Sequence, residues 1–277
     1  MSKPRVLYVS QEIFPYLPES EMSNVSRFLP QGIQEKGKEI RTFMPRFGCI
    51  NERRHQLHEV IRLSGMNLII DDHDHPLIIK VASIQQARMQ VYFIDNEEYF
   101  KRKSVFQGTE GEIHTDNHER MMFFGKGVLE TVKKLSWAPD IIHCHGWFTS
   151  MLPLYIRTAY KNDPIFANSK IVFSAYENTS DVKKVNRSLY NKIQADGIDV
   201  SEIESLQNPS LENLEICAAQ HADALVLGSE NIDAAHKLEL TSKVDHVLEF
   251  QGNEDYVDAY DEFYDNILEE SSVLIDS

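Results

Sequence analysis

The stretch Pro139-Asp140-Ile141-Ile142-His143-Cys144-His145-Gly146-Trp147-Phe148 carries the densest set of chemically useful side chains in the sequence. Proline and aspartate break the chain, an isoleucine pair starts a strand, and two imidazoles follow at i and i+2. From Thr149 to Tyr160 apolar residues recur at helical spacing. A strand that ends in polar groups and feeds a helix is where open parallel sheets gather ligand chemistry. Imidazoles placed there can donate to and accept from the hydroxyls of a bound molecule. Zinc is a poor fit to His143, Cys144 and His145, because neighbouring strand residues face opposite sides and the thiol points away from both rings. The other ligand-rich run is Asp71-Asp72-His73-Asp74-His75-Pro76. Its donors are consecutive, whereas metal sites collect theirs from spaced positions on rigid elements, so it reads as a solvated acidic turn. No metal and no cofactor is expected.

The elements that position these groups follow from periodicity. Val6 to Ser10 is a short apolar run of the buried parallel-strand kind, and Gln11 to Glu21 is a loop. Met22, Val25, Phe28 and Leu29 recur at helical spacing, with Pro30 expected to bend or break that helix and Gly37 to cap its end. Ile40 to Met44 returns as a strand, completing a βαβ unit. The β-rich runs 68–70, 77–84 and 89–94 predict a hairpin insertion. Residues 97–112 read as loop with a short helical piece. Thr115 or Asp116 can then supply the N-cap oxygen of a helix running to about Leu135. A strand at 171–174, a polar stretch from Tyr176 to Pro209, a helix at 211–219, a strand at 222–227 and a helix from about Asn231 complete the body. No Lys or Arg follows Lys243. Beyond it Val257, Tyr260, Tyr264, Ile267 and Leu274 form the apolar side of an acidic helix, expected to pack on its own domain. The expected architecture is α/β: a single Rossmann-like lobe over 1–245, with a mostly parallel sheet and a β-rich hairpin insertion, and an acidic helical tail over 246–277.

Composition narrows the function. The 277 residues are 42% hydrophobic and 26% charged, with a formal net charge of -15. That balance argues against nucleic acid and against a polybasic membrane surface. Cys49, Cys144 and Cys217 are far apart and odd in number, which fits reduced thiols in a cytoplasm rather than a disulfide framework. The first strand-like run is too short for a signal sequence, and no stretch approaches the ~20 apolar residues of a membrane span. A cytoplasmic location is expected.

Several segments then resemble one family together. They are Val6 to Ile13 with Pro15, Met44-Pro45-Arg46-Phe47-Gly48, Val91 to Asp95 with Tyr99-Phe100-Lys101-Arg102, Thr115-Asp116-Asn117 with Glu119-Arg120, Pro139 to His145 with Trp147, and Ala222-Asp223. In order and approximate spacing, over about residues 4–235, they resemble the N-terminal half of bacterial glycogen and plant starch synthases, the ADP-glucose-dependent retaining glucosyltransferases. The resemblance implies the first lobe of a two-lobed GT-B glycosyltransferase. In that architecture the first lobe holds the glucan acceptor and the second holds most of the nucleotide sugar. The chain is expected to lack the second lobe.

The resemblance also shows which parts have changed. The family's Lys-Thr-Gly-Gly-Leu loop falls on Pro18-Glu19-Ser20-Glu21-Met22, which exchanges a phosphate-holding lysine and glycine amides for two glutamates. The family's His-Asp-Trp-His becomes His145-Gly146-Trp147-Phe148, its Thr-(Ile/Val)-His-Asn falls near Ser174-Ala175-Tyr176-Glu177, and an aspartate becomes Asn24. Glu12, Arg46, Asp116, Asn117, Arg120, His143, His145 and Trp147 stand where the family has them. Glu12, Asp116, Asn117, His145 and Trp147 are therefore the candidate substrate-binding residues. Structural duties are open to the same set: Asp116 as an N-cap, Arg120 as a buried ion-pair partner, His143 and His145 as satisfied polar groups. No catalytic residue is assigned. The expected function is a degenerate glycogen/starch synthase-like protein in a binding or regulatory role in carbohydrate metabolism. The expected ligand is a glucan or small sugar, with a homo-oligomer or protein partner over the face of the absent lobe. Two alternatives stand beside it: half of a glucosyltransferase completed by a partner chain or oligomer, and a structural interaction module.

Overall fold

The computed structural model describes residues 3–108, 110–178, 185–252 and 256–273. Strand β1 (Arg5–Ser10), helix α1 (Glu21–Glu35) and strand β2 (Glu39–Pro45) form the opening βαβ unit. Next come β3 (His58–Glu59), β4 (Met66–Ile70), β5 (His73–Ile84), β6 (Met89–Asp95) and the short helix α2 (Glu97–Phe100). Helix α3 (Asn117–Lys134), β7 (Ile141–His145), α4 (Met151–Arg157), β8 (Lys170–Ala175), α5 (Ser188–Ala195) and α6 (Leu211–Gln220) follow. The chain continues through β9 (Ala224–Leu227), α7 (Ala234–Thr241), β10 (His246–Leu248) and α8 (Tyr256–Val273). The sheet runs in the order β10-β9-β8-β7-β1-β2-β6-β5-β3, with β4 paired to β5. Strands from β10 to β6 are parallel, and β5 and β3 extend the edge antiparallel. This is a single α/β lobe with a mostly parallel sheet and an antiparallel hairpin.

Several expectations are corrected in detail. Helix α1 runs without interruption through Pro30, because burial of Met22, Leu29 and Ile33 on the sheet outweighs the lost backbone bond. The third β-rich run, β6, closes an antiparallel hairpin with β5 and also pairs parallel with β2, so the insertion is joined to the main sheet through β6. The acidic turn between β4 and β5 is just Asp71 and Asp72, both at positive φ, and His73 to Pro76 already lie in β5. His75 is buried there with Nε2 3.0 Å from the Tyr99 hydroxyl. The polar stretch from 176 to 209 contains α5 and a 3-10 segment, Val200–Gln207, whose Leu189, Ile193, Ile203 and Leu206 are buried. Their apolar positions were too diluted by polar neighbours to show a period.

Strand alternation splits the core into two layers. Leu7, Val9, Ile142, Cys144, Ile171, Phe173, Leu225 and Leu227 face one side, covered by α3, α4 and α6. Val6, Tyr8, Ile141, Val172, Ala224 and Val226 face the other, covered by Leu29 and Ile33 of α1 and by Tyr260, Tyr264 and Ile267 of α8. Gly32 makes that cover close: a Cβ there would sit 2.5 Å from Cγ1 of Val257. Beyond the expected boundary at residue 245, β10 pairs with β9 and α8 closes the second layer. Leu274, also assigned to the apolar side of the tail, lies outside the described residues.

Candidate functional site

The chain leaves β1 toward β2 on one side and returns through β7 on the other, so β1/β7 is the topological switch point where open α/β sheets bind ligands. A cavity of about 260 Å3 opens there. Gln11 and Glu12 follow β1, Gly146 and Trp147 follow β7, and Tyr176 and Glu177 follow β8, all reaching it from strand C-terminal ends. Phe106, Met22 and Glu215 of α6 close its sides. A second cavity of about 270 Å3 shares Trp147 and is lined by Asn117, His114, His118 and Asn186. Trp147 is thus the common wall, with Phe106 packed against it at a centroid distance of 4.7 Å.

Of the five candidate residues, Glu12 and Trp147 line the first cavity, and Asn117 and Trp147 line the second. Glu12 is half-buried, its Oε1 accepts from Ser20 Oγ at 3.0 Å, and burial raises its carboxyl above the ordinary range. Asp116 lines neither cavity. It occupies the N-cap position of α3 without a side-chain cap bond, and its Oδ2 pairs instead with Arg102 at 2.5 Å.

His145 lines neither cavity either and is fully buried. It is still in strand register, opposite Ser10 and Ser174, so its side chain points to the sheet face under α8 rather than off the strand end. Nδ1 lies 2.8 Å from the Tyr176 hydroxyl, and the ring centroid lies 3.9 Å from that of His143 with the planes tilted by 33°. His143 is held between the hydroxyl of Tyr264 and Oγ of Ser174, both at 2.6 Å. Burial pushes both imidazoles down, His145 to about 3, and the neighbouring His145 lowers His143 further. Both are neutral at physiological pH.

Arg120 is fully buried but forms no ion pair among the described residues, contrary to expectation. Its Nε donates to the Tyr99 carbonyl at 2.8 Å, and Nη1 donates to the Val105 carbonyl and Asn117 Oδ1 at 2.6 and 2.7 Å. Asn117 Nδ2 in turn donates to the Phe106 carbonyl at 2.8 Å. Arg120 and Asn117 therefore pin the segment that holds Phe106 against Trp147. Desolvation lowers the guanidinium to about 10, and Phe47 and Phe100 lie 5.5 and 5.3 Å from it.

The segment Pro18 to Met22 is committed to starting helix α1. Ser20 Oγ accepts from the Ser23 amide at 2.9 Å and Ser23 Oγ accepts from the Ser20 amide at 2.8 Å, a reciprocal capping box. The amides of Ser20 and Ser23 are thereby occupied, and Glu21 adds negative charge in the first turn. Phe148 is buried between Phe106, Phe124 and Phe47 at centroid distances of 5.2, 5.8 and 5.9 Å. Gln11, Phe106, Glu177 and Glu215 were not singled out in the sequence. Gln11 and Glu177 had a signal, standing directly after or within two residues of buried parallel strands; Glu215, on a helix from elsewhere in the chain, had none.

A model of the starch synthase catalytic domain matches residues 5–249. The chain belongs to that family. Glycogen synthase from Chlorobium limicola is 39% identical over 173 residues, covering 62% of this chain and 35% of that protein. Glycogen synthase from Chlorobaculum tepidum is 40% identical over 169 residues, 61% of this chain and 35% of that one. The chain thus spans about a third of the length of these relatives, matching their N-terminal part. The catalytic domain of starch synthase IV from Arabidopsis thaliana, bound to ADP and acarbose, superposes with a TM-score of 0.70 at 17% identity, covering 89% of this chain and 52% of that one; the likeness is one of fold. No described helix is long and apolar enough to cross a membrane.

Within this family the exchange of aspartate for Gly146 is tied to the backbone. Gly146 has φ 83° and ψ 162°, a region open essentially to glycine alone. A Cβ there would meet Met22 Cε at 2.7 Å and Gln11 Oε1 at 3.0 Å. Restoring the family residue with Gly146→Asp is expected to cost about 1–3 kcal/mol. Thermal denaturation should show a melting temperature lower by several degrees, and an unchanged one would mean that the turn relaxes freely.

Proposed function

We propose that this starch synthase family member binds a glucan or small sugar around Trp147, does not itself transfer glucose, and serves a binding or regulatory role in carbohydrate metabolism. The observation that carries this reading is the lining of the first cavity: Trp147, Phe106 and Tyr176 beside Gln11, Glu12, Glu177 and Glu215, with no Lys or Arg among the described residues. Aromatic faces with carboxylates and amides suit sugar rings and their hydroxyls. A departing diphosphate needs cations or free amides aimed at its charge. Here the α1 terminus offers glutamates and serine-capped amides instead. The starch synthase IV structure holds ADP together with acarbose. Our reading retains the sugar half of that pair.

Maltotetraose is expected to raise the melting temperature, whereas ADP and ADP-glucose leave it unchanged. Trp147→Ala, which removes the wall common to both cavities, should abolish the maltotetraose shift. A larger shift with ADP-glucose than with maltotetraose, or glucose transfer to glycogen by the purified chain, would overturn the reading.

A further inference from the structure

We infer that the first cavity selects a small sugar or polyol bearing a positively charged amine, of the hexosamine class, over its neutral counterpart and over phosphorylated ligands. The inference rests on the sugar-site reading above and deepens it.

Glu12, Glu177 and Glu215 reach the cavity from three separate parts of the chain, and among the described residues its lining contains no Lys, Arg or His. Between them stand Trp147, Phe106 and Tyr176, and aromatic faces attract cations. Glu215 shares its charge with His236, whose Nε2 lies 2.8 Å from Oε2, so Glu12 and Glu177 contribute most of the local field. Gln11 adds an independent feature. It is only 7% exposed and lines the cavity; its Oε1 accepts from the Phe148 amide at 3.2 Å. Its amide nitrogen donates to no described residue and is therefore free to donate to a ligand oxygen in the cavity. One ring carrying an ammonium group and hydroxyls suits both.

A metal ion fits this arrangement poorly. Among the described residues no three His, Cys, Asp or Glu side chains lie close enough to hold one. A volume of about 260 Å3 falls below the usual range for drug-sized ligands and suits a single ring.

Calorimetric titration in low-salt buffer slightly below neutral pH, with glucosamine, glucose, N-acetylglucosamine, maltose and ADP, tests this. Glucosamine is expected to bind roughly tenfold or more tightly than glucose. N-acetylglucosamine, which keeps the ring without the charge, should behave like glucose. The preference should shrink in Glu177→Gln, an exposed position, and in Glu12→Gln, and should fall with added salt. Maltose binding with no preference for glucosamine would overturn this inference and leave the sugar-site reading standing. Binding of no sugar at all, or tighter binding of ADP, would overturn both.

Discussion

Ending the chain after Gly252, so that α8 is lost, is expected to abolish cooperative folding. Tyr260, Tyr264 and Ile267 are 4%, 0% and 3% exposed, and together they cover Val6, Tyr8, Ile141 and Val172. Burying a large apolar side chain contributes about 1.5–3 kcal/mol, so three such residues account for roughly 5–9 kcal/mol. A whole domain is stable by only about 5–15 kcal/mol. The loss is compounded on the uncovered side: His143 loses its Tyr264 partner, and Lys38 Nζ loses Asp261 and Asp265 at 2.5 and 2.8 Å. Urea denaturation and binding of a hydrophobic dye would read the effect. A milder variant keeps the test informative should the truncated chain aggregate. Tyr264→Ala removes one fully buried ring and is expected to cost about 3–5 kcal/mol. For a chain of this size that lowers the melting temperature by on the order of 10 °C. Equal stability of Tyr264→Ala and the parent would sink the idea that α8 is part of the core.

Acid should destabilise this protein well before its carboxylates titrate, through the two neighbouring buried histidines. In the folded chain His145 is depressed to about 3 and His143 is depressed as well, each chiefly by burial. In the unfolded chain both titrate near the ordinary value of about 6.5. Below that value the unfolded state binds protons that the folded state refuses, so stability is fully present above it and falls as pH drops toward 3. His145 alone contributes about 1.4 kcal/mol per pH unit across that window, and His143 acts with the same sign. Unfolding free energies measured by urea between about pH 7 and 4.5 should therefore decline by several kcal/mol. His145→Asn is expected to be less stable at neutral pH yet to show a shallower decline. Parallel curves for the two proteins would mean that His145 is not held neutral by the fold.

How much of the site was legible follows from the range over which each signal acts. The strands, their order up to β9 and the family resemblance lie in short stretches of sequence, and residues 5–249 match the family model. Local pattern put Trp147 at the end of a buried parallel strand and the family resemblance singled out Glu12, and both line the first cavity. The same local pattern left two readings of His145 open, a ligand contact and a buried polar group. Period-two alternation puts His143 and His145 on one face with Cys144 on the other, but it cannot say what lies over that face. The answer is Tyr264, 121 residues from His143, on a helix whose acidic composition gave no hint of its place. Asp116 stands at the expected N-cap position, but its side-chain partner, like those of Arg120, was not legible for a similar reason. Their partners are Arg102 for one and the Tyr99 and Val105 carbonyls for the other, on a segment with little regular structure, and backbone carbonyls leave no mark in sequence.

The sequence by itself therefore determined a single α/β lobe of the starch synthase family, with its phosphate loop exchanged for glutamates and its His-Asp-Trp-His motif altered at two positions. Those are properties of residue type and spacing. Only the tertiary structure decided that the conserved-looking imidazoles are sealed beneath α8, that Trp147 divides two cavities, and that three glutamates from distant parts of the chain meet on one of them. Such meetings depend on which side of the sheet each crossover packs, and that is settled by burial of the whole chain rather than by any one segment.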